Sequence, residues 1–147
     1  MSEAATGDAT MELRVVSAHE EIFSGAVRMV SATSTNGELG ILPRHAPLLT
    51  LLRPAEVRVL LASGEEHYLY VSGGMMEVQP FMVTILADTA ARGEEIDEAA
   101  ALEAKQRAEE AMRDAVLYSE RDAAQTEMVK ALAQLRALEH SRRRRKR

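Results

Sequence analysis

The sequence predicts an α+β fold, with an N-terminal antiparallel β-sandwich followed by a C-terminal antiparallel α-helical hairpin. From residue 11 to 88, short apolar runs with a period near two alternate with turn residues roughly every 8 to 12 positions, which is typical of sandwiches and barrels. From residue 95 onward the chain consists largely of Ala, Glu, Lys, Gln, Arg, Leu and Met, the strong helix formers. A short interruption at 117–120 divides this stretch, which favours two helices that fold back on each other.

Eight strands are predicted in the sandwich. In the fifth, alternation places Val57 and Val59 on the core side and Glu56 and Arg58 on the opposite side. The eighth is almost wholly apolar at 83–86, as a strand buried on both faces would be. The predicted strands are 12–17, 26–32, 38–42, 48–52, 56–61, 67–71, 75–79 and 82–87.

The most distinctive stretch of the sandwich is 36–47. It opens with an Asn-Gly pair, the strongest short hairpin signal, because both residue types tolerate positive φ. Two prolines, at 43 and 47, fix φ and remove backbone donors, so the segment between them is expected to be an exposed corner that presents Arg44 and His45. Glu38 is expected on the same rim. A structural loop and a functional site are both consistent with this pattern.

The helical region is predicted to begin after a joint at 90–94, in which Gly93 is the hinge or turn residue. We expect the first helix at 95–116, with Asp97 as its N-cap, and the second at 121–141. Small and apolar residues recur at alternating spacings of three and four on both helices, which predicts a seam that buries little area and can open without melting the helices. A permanently docked hairpin is equally consistent with this pattern. The predicted seam consists of Ala101, Ala104, Ala108, Ala111, Ala115, Ala124, Met128, Ala131, Leu135 and Leu138.

Charge is distributed unevenly along the chain. The net charge is −5, and the six cations at 142–147 leave −11 on the remainder. An acidic body with few aromatic residues and no Trp is a poor nucleic-acid binder. The cations complement the helix dipole only in the last turn, so we expect this end to fray unless an acidic partner meets it. The candidates for that contact are Arg142, Arg143, Arg144 and Arg145.

Most catalytic and metal sites need residues that this sequence lacks. It has no cysteine, and its four histidines are scattered with no second ligand at metal spacing. Neither a G-x-x-x-x-G-K-[ST] phosphate-binding motif nor a G-x-S-x-G nucleophile motif occurs, and no apolar tract reaches the roughly 18 residues of a membrane span. We therefore expect no catalytic residues, no metal and no cofactor.

These observations divide the chain into four parts. Residues 1–10 are small and polar, without the features of a signal peptide, and are predicted to be a disordered tail. The sandwich is predicted at 11–90, the hairpin at 91–141 and a basic tail at 142–147.

Several segments resemble the epsilon subunit of bacterial F-type ATP synthases. They are 15–18 (VVSA), 23–25 (FSG), 37–43 (GELGILP), 45–50 (HAPLLT), 70–74 (YVSGG), 77–80 (EVQP) and 86–90 (LADTA). The resemblance extends from about residue 11 to residue 140.

The resemblance implies a non-catalytic subunit of the central stalk that couples rotation to ATP synthesis in a proton-translocating enzyme. It implies that the sandwich binds the gamma subunit and the c-ring, with Glu38 and His45 on the loop that faces the c-ring. In many members the hairpin extends toward the catalytic alpha/beta hexamer and inhibits ATP hydrolysis. We add the hypothesis that the basic tail then meets acidic residues of the beta subunit. The implied location is the cytoplasmic face of the bacterial cell membrane, with membrane association only through the complex.

One departure concerns ATP. Family members that bind ATP on the hairpin resemble an Ile/Leu-Asp-x-x-Arg-Ala pattern, of which Ile96 and Asp97 are present here as the remnant of a nucleotide motif. Ala100 stands where the pattern has Arg, so the guanidinium best suited to phosphate is missing. We expect weak or no ATP binding by the isolated subunit.

Two other functions stay open at this point. The chain could be a free-standing adaptor whose tail binds an acidic protein or nucleic acid. An enzyme acting through Glu38 and His45 would need a second carboxylate or an oxyanion donor that the sequence does not reveal.

Overall fold

A computed structural model describes residues 9–147 of the chain, so most of the predicted N-terminal tail lies outside the described residues. This part of the chain contains nine strands, one short 3-10 helix and two α-helices. The strands are β1 (Met11–Val16), β2 (Glu21–Ser34), β3 (Gly37–Ile41), β4 (Leu48–Leu52), β5 (Ala55–Leu61), β6 (Glu66–Val71), β7 (Gly74–Gln79), β8 (Met82–Ala87) and β9 (Ala90–Arg92). The 3-10 helix spans Gly93–Glu95, α1 spans Glu98–Asp114 and α2 spans Tyr118–Arg145.

The strands form a sandwich whose two layers share the long strand β2. One layer has the order β1-β8-β7-β4, and the other joins β3, β2, β5, β6 and β9. The first part of β2 pairs with β1, and its second part pairs with β3 and β5. All these pairs are antiparallel except β1–β8, which is parallel. The predicted α+β architecture of sandwich followed by helical hairpin is therefore confirmed.

The hydrophobic core lies between the two sheet layers. Val57 and Val59 are fully buried there, as the alternation in β5 predicted. Every buried residue of this core cluster lies between Met11 and Ala87, and its partly buried neighbours extend only to Ala90. No residue of α1 or α2 belongs to this cluster in the described part of the chain. The sandwich therefore builds its own core.

Three details of the strands differ from the prediction. Strand β2 begins at Glu21 and not at residue 26, because it continues through Gly25 to pair with β1. The joint predicted at 90–94 begins with β9, which pairs with β6. Strand β8 is not buried on both faces, since Met82 and Leu86 are exposed. An apolar strand can carry its outward residues on an uncovered sheet face, which sequence composition alone does not distinguish from burial.

The helices begin and end close to the predicted positions, with one correction. The carboxylate of Asp97 accepts a hydrogen bond from the Ala100 N–H at 3.1 Å, which confirms the predicted N-cap of α1. Helix α2 begins at Tyr118, so the connection between the helices is only residues 115–117. The Glu120 carboxylate accepts hydrogen bonds from the backbone at the start of α2, which explains why the helix begins earlier than predicted.

Candidate functional site

The corner between β3 and β4 is held by backbone contacts. Arg44 has a positive φ of 67°, and its N–H donates to the Pro80 carbonyl at 2.7 Å. The N–H of His45 donates to the Leu42 carbonyl at 3.1 Å, and the imidazole Nδ1 lies 2.7 Å from the Ala46 carbonyl. These contacts fix an exposed corner next to the turn between β7 and β8. The prolines therefore flank a well-defined bend.

Glu38 and His45 occupy different parts of this region. Glu38 lies in β3, opposite Thr33 of β2, and is exposed. It lines a polar cavity of about 80 Å³ together with Ser31, Glu56 and Arg58. His45 lies in the corner beyond the end of β3, and within residues 9–147 no hydrogen bond or ion pair joins it to Glu38. The pair does not form a catalytic dyad in this structure.

The outer face of the β1-β8-β7-β4 layer carries exposed apolar side chains on β4, β7 and β8. Register places Leu51 opposite Met75 and Met75 opposite Leu86, so that three strands form one row of apolar side chains. These side chains are 56%, 38% and 56% exposed, respectively. We call the exposed set Leu49, Leu51, Met75, Met82 and Leu86 the apolar face. Large exposed apolar patches usually mark interaction surfaces.

The predicted hairpin seam is only partly buried. Its buried members are Ala101, Ala108, Ala124, Ala131 and Leu138. Ala104, Ala115, Met128 and Leu135 are half-buried, and Ala111 is exposed. Small side chains bury little apolar area each, so the contact between α1 and α2 gains little from the hydrophobic effect. An open groove of about 490 Å³ remains between the helices beside Ala104, Ala111 and Ala123.

A second face of α2 lies against the outer surface of β5 and β6. Tyr70 packs there with Ala133, Ala137 and Ile96 in a small cluster separate from the sandwich core. Burial in this cluster raises the pKa of Tyr70 to about 12. Ala133 and Ala137 lie outside the predicted seam, because a helix with two contact faces does not produce a single apolar stripe.

Gly93 lies where α2 approaches β6 closely. A Cβ atom at this position would lie 2.1 Å from Ser141 Oγ, 2.6 Å from the Ala137 carbonyl oxygen and 2.8 Å from the Tyr68 carbonyl oxygen. Its φ is not positive, unlike those of Gly37, Gly64, Gly73 and Gly74. Gly93 opens the 3-10 turn that joins β9 to the helices, which confirms its predicted place at a turn; glycine is needed there for space and not for a positive φ. Its role as a hinge stays a prediction.

The basic segment at 142–147 continues α2 and contacts acidic side chains of the same chain. Arg142 Nη2 lies 2.8 Å from Glu98 Oε2 in the first turn of α1. Arg143 pairs with Glu139, and Arg144 pairs with Glu65 in the turn between β5 and β6. Arg145 is the last residue of α2. The helix continues to Arg145 without fraying. Fraying was expected only if no acidic partner met this end, and these carboxylates are such partners.

The two residues retained from the nucleotide pattern have structural roles. Ile96 packs on the Tyr70 cluster, and Asp97 caps α1. Ala100 is exposed and contributes no polar group. The hydrogen bond between Asp97 and the backbone satisfies an N–H at the helix start, which is sufficient reason for an aspartate at this position.

The described residues offer no sign of a metal or membrane-spanning element. Between residues 9 and 147, no three His, Cys, Asp or Glu side chains are close enough to hold a metal ion together. None of the helices in this range combines the length and the apolar character that a membrane crossing requires.

Sequence reasoning missed the polar contacts beneath the end of α2. His140 Nδ1 lies 2.7 Å from Glu56 Oε2, and its ring lies against Tyr68 with centroids 5.0 Å apart. The Tyr68 hydroxyl donates to Glu66. Burial, as the largest cause, and this hydrogen bond, as the second, raise the pKa of Tyr68 to about 12. Glu56 and His140 are 84 positions apart, so no local spacing could have paired them.

Comparison with known proteins identifies both parts of the chain. The family described as ATP synthase, Delta/Epsilon chain, beta-sandwich domain matches residues 10–93. The family described as ATP synthase, Delta/Epsilon chain, long alpha-helix domain matches residues 94–139.

Curated relatives match over almost their full length. The chain is 54% identical to the ATP synthase epsilon chain of Nitrosococcus oceani, covering 90% of this chain and 95% of that relative. It is also 54% identical to the ATP synthase epsilon chain of Alkalilimnicola ehrlichii, covering 94% and 99%, respectively.

Among solved structures, one similar chain comes from the cryo-EM structure of the Euglena gracilis mitochondrial ATP synthase containing OSCP, F1 and the c-ring. Its TM-score is 0.75 at 22% identity, with 96% of this chain and 89% of that chain covered. A chain of the central stalk and c-ring of the Tetrahymena thermophila mitochondrial ATP synthase gives a TM-score of 0.60 at 17% identity, with 89% and 98% covered. At these identities, the structural similarity shows a shared fold and nothing further.

Proposed function

The chain belongs to the ATP synthase delta/epsilon chain family, and we propose that it is a non-catalytic central-stalk subunit that couples rotation to ATP synthesis and inhibits ATP hydrolysis through its helices. It binds the gamma subunit and the c-ring of a proton-translocating enzyme, at the cytoplasmic face of the bacterial cell membrane. The observation that carries this proposal is the match of both parts, sandwich and helices, to epsilon chains along nearly their whole length.

The gamma subunit is proposed to bind the apolar face. Leu49, Leu51 and Leu86 are each more than half exposed, although they lie in regular strands of a well-packed sandwich. A rigid sheet loses little conformational entropy when a partner covers it, so such a face suits a stable contact within a complex. The opposite layer is less suitable, because α2 already lies on β5 and β6.

The c-ring is proposed to contact the corner formed by Arg44 and His45 together with the rim at Glu38. Arg44 and Glu38 are exposed, and His45 is half-buried. Backbone hydrogen bonds hold the corner, so the positions from which its polar side chains project are fixed. Polar groups of this kind suit the polar loops of a membrane ring, where they provide specificity more than affinity.

The hairpin is proposed to be the inhibitory element. Its seam is built largely from alanine, and it adds no residue to the sandwich core in the described part of the chain. Both helices consist of strong helix formers, so they can leave the sandwich while remaining helical. In the extended state they reach the alpha/beta hexamer, and the basic tail meets acidic residues of the beta subunit.

The test is an ATPase assay on the assembled enzyme, with the full chain or with a chain that ends at Gly93. We expect the truncated subunit to copurify with gamma and the c-ring and the enzyme to hydrolyse ATP faster. Loss of copurification on truncation, or an unchanged rate, would contradict this division of roles.

The contribution of the tail is tested separately by removing residues 142–147. If the tail contacts the beta subunit, this deletion reduces both the inhibition and its dependence on salt. An unchanged inhibition and salt dependence would count against a contact between the tail and the beta subunit.

A further inference from the structure

We propose that the C-terminal end of α2 forms an electrostatic clasp that holds the hairpin in the docked state and that must open before the tail can reach another protein. The clasp consists of three contacts, His140–Glu56, Arg142–Glu98 and Arg144–Glu65. This inference rests on the proposed function in one respect, namely that the hairpin leaves the sandwich when it inhibits.

The contact between His140 and Glu56 is the most enclosed of the three. Its two side chains are 35% and 14% exposed, and the atoms that meet are 2.7 Å apart. Glu56 lies on the outer side of β5, which sequence alternation assigned to solvent, and α2 covers it. A carboxylate that loses water on docking needs a polar partner in return. His140 is that partner, so the contact favours the position of α2 seen here over a shifted one.

The two arginine contacts connect α2 to different elements. Arg144 reaches Glu65 in the turn between β5 and β6, and Arg142 reaches Glu98 at the start of α1. The clasp therefore joins the end of α2 both to the sandwich and to the other helix. The same arginines are those proposed to meet the beta subunit. In the docked state they are engaged within the chain, so an acidic partner has to compete with carboxylates held at high effective concentration.

Apolar contacts alone hold the docked helix weakly. Within the described residues, the buried apolar cluster beneath α2 consists of Tyr70, Ala133 and Ala137 with Ile96 packed against it, which is small beside the sandwich core. Each exposed ion pair stabilises the docked state only modestly. Because the apolar contacts also contribute little, several such pairs supply a substantial share of the free energy that holds α2 on the sandwich. Because exposed pairs are screened by salt, the docked state is expected to weaken as ionic strength rises.

The opening of the clasp can be measured on the full chain through a single engineered thiol, because the sequence contains no cysteine. Ser141 is 1% exposed, and its Oγ has no hydrogen-bond partner, so Ser141→Cys places a thiol under the docked helix without removing a hydrogen bond. The rate at which this thiol reacts with a disulfide reagent then reports the open fraction. Ala133→Cys provides a second reporter in case the first perturbs docking.

Charge exchange across one contact tests the clasp. In either reporter background, we expect Glu65→Arg to accelerate labelling about two- to five-fold at low salt, in line with the loss of an exposed pair. Adding Arg144→Glu to Glu65→Arg is expected to bring the rate back to within two-fold of the parent. The matched control is Glu103→Arg, the same change of charge at an exposed position of α1, which is expected to leave the rate unchanged.

An unchanged rate in Glu65→Arg, or no recovery in the double variant, would overturn the clasp. Labelling of the parent is also expected to be faster in 1 M than in 0.05 M sodium chloride, roughly by a few-fold, and the opposite trend would count against the clasp. The assay uses the isolated subunit, so it does not depend on inhibition. If labelling accelerates but the assembled enzyme carrying Glu65→Arg shows unchanged ATPase activity, the clasp stands and the proposed inhibitory role fails.

Discussion

At the scale of single residues, Gly93 is the position where the docked hairpin tolerates least change. Three atoms of α2 and β6 would lie within 3 Å of a Cβ there, two of them backbone oxygens that cannot rotate away. We predict that Gly93→Ala displaces α2 and destabilises the docked state by about 1–3 kcal/mol, the usual cost of overpacking. Thiol labelling at Ala133→Cys and thermal unfolding measure this effect.

Gly40→Ala is the matched control, because a Cβ at that position meets nothing within 4 Å and the φ of Gly40 is not positive. If Gly93→Ala labels no faster than Gly40→Ala, the close approach seen here does not occur in solution.

Tyr70 provides a spectroscopic signal of docking. Its pKa of about 12 lies above the ordinary value of 10.0, so the docked state favours the neutral phenol. The stability that this burial contributes is complete below pH 10 and is lost as the pH rises through 12. Tyr68 also has a pKa of about 12, so the titration is done in a Tyr68→Phe background. There we predict that absorbance near 295 nm shows a component near pH 12 that Tyr70→Phe removes.

The same component should move toward pH 10 when the hairpin is removed, because α2 provides part of the burial. A Tyr70 component near pH 12 in a chain that ends at Gly93 would show that the helix does not shield this residue.

Residue-level contacts were the least predictable from sequence. The fifth strand could be divided into inward and outward residues, and Val57 and Val59 are buried as predicted. The partner of the outward-facing Glu56 depends on where α2 docks, and His140 is 84 positions away. Likewise, Arg144 and Glu65 are 79 positions apart. Periodicity describes one element at a time, so it cannot supply such pairs.

At the scale of elements, the apolar face is expected to carry the contact with gamma. We predict that Leu51→Glu leaves the subunit folded, since Leu51 is 56% exposed and its replacement removes little core packing. Binding to gamma should weaken by about ten-fold or more if Leu51 is central to the interface. Copurification and titration of gamma measure the effect.

Leu102→Glu introduces the same charge at an exposed leucine of α1 and serves as the control. Equal binding by the two variants would exclude the apolar face as the gamma contact.

The start of α1 determines the expectation for ATP. Ile96 and Asp97 serve the Tyr70 cluster and the helix cap, and Ala100 offers no phosphate-binding group. We predict weak or no ATP binding by the isolated subunit, to be measured by titration calorimetry. A dissociation constant below 1 mM would contradict this.

Element boundaries were predictable where the local signals were strong. The positions of β4 and β8 agree with the sequence pattern, because turn residues flank both strands. Strand β9 was missed, because three residues, Ala-Ala-Arg, are too few to show alternation. The exposed side of β8 was missed because apolar residues on an uncovered sheet face look the same in sequence as core residues.

At the scale of the whole molecule, the structure consists of a sandwich with its own core and a hairpin that lies on its outer surface. The core cluster ends at Ala87, and β9 completes the sheet just before Gly93. The contacts between the two parts include a small apolar cluster and the pairs His140–Glu56 and Arg144–Glu65. A rigid part that binds the rotor and a releasable part that regulates it are therefore compatible within one chain.

Amide hydrogen exchange on residues 1–93, compared with the full chain, tests this separation most directly. We predict that β1 to β4, β7 and β8 keep slow exchange in the truncated chain, within about ten-fold of the full chain, because no helix residue belongs to the core cluster in the described range. Faster exchange is expected only in β5, β6 and β9, next to the surface that α2 covered. Fast exchange throughout the truncated chain would show that the sandwich depends on the hairpin for folding and would contradict the account.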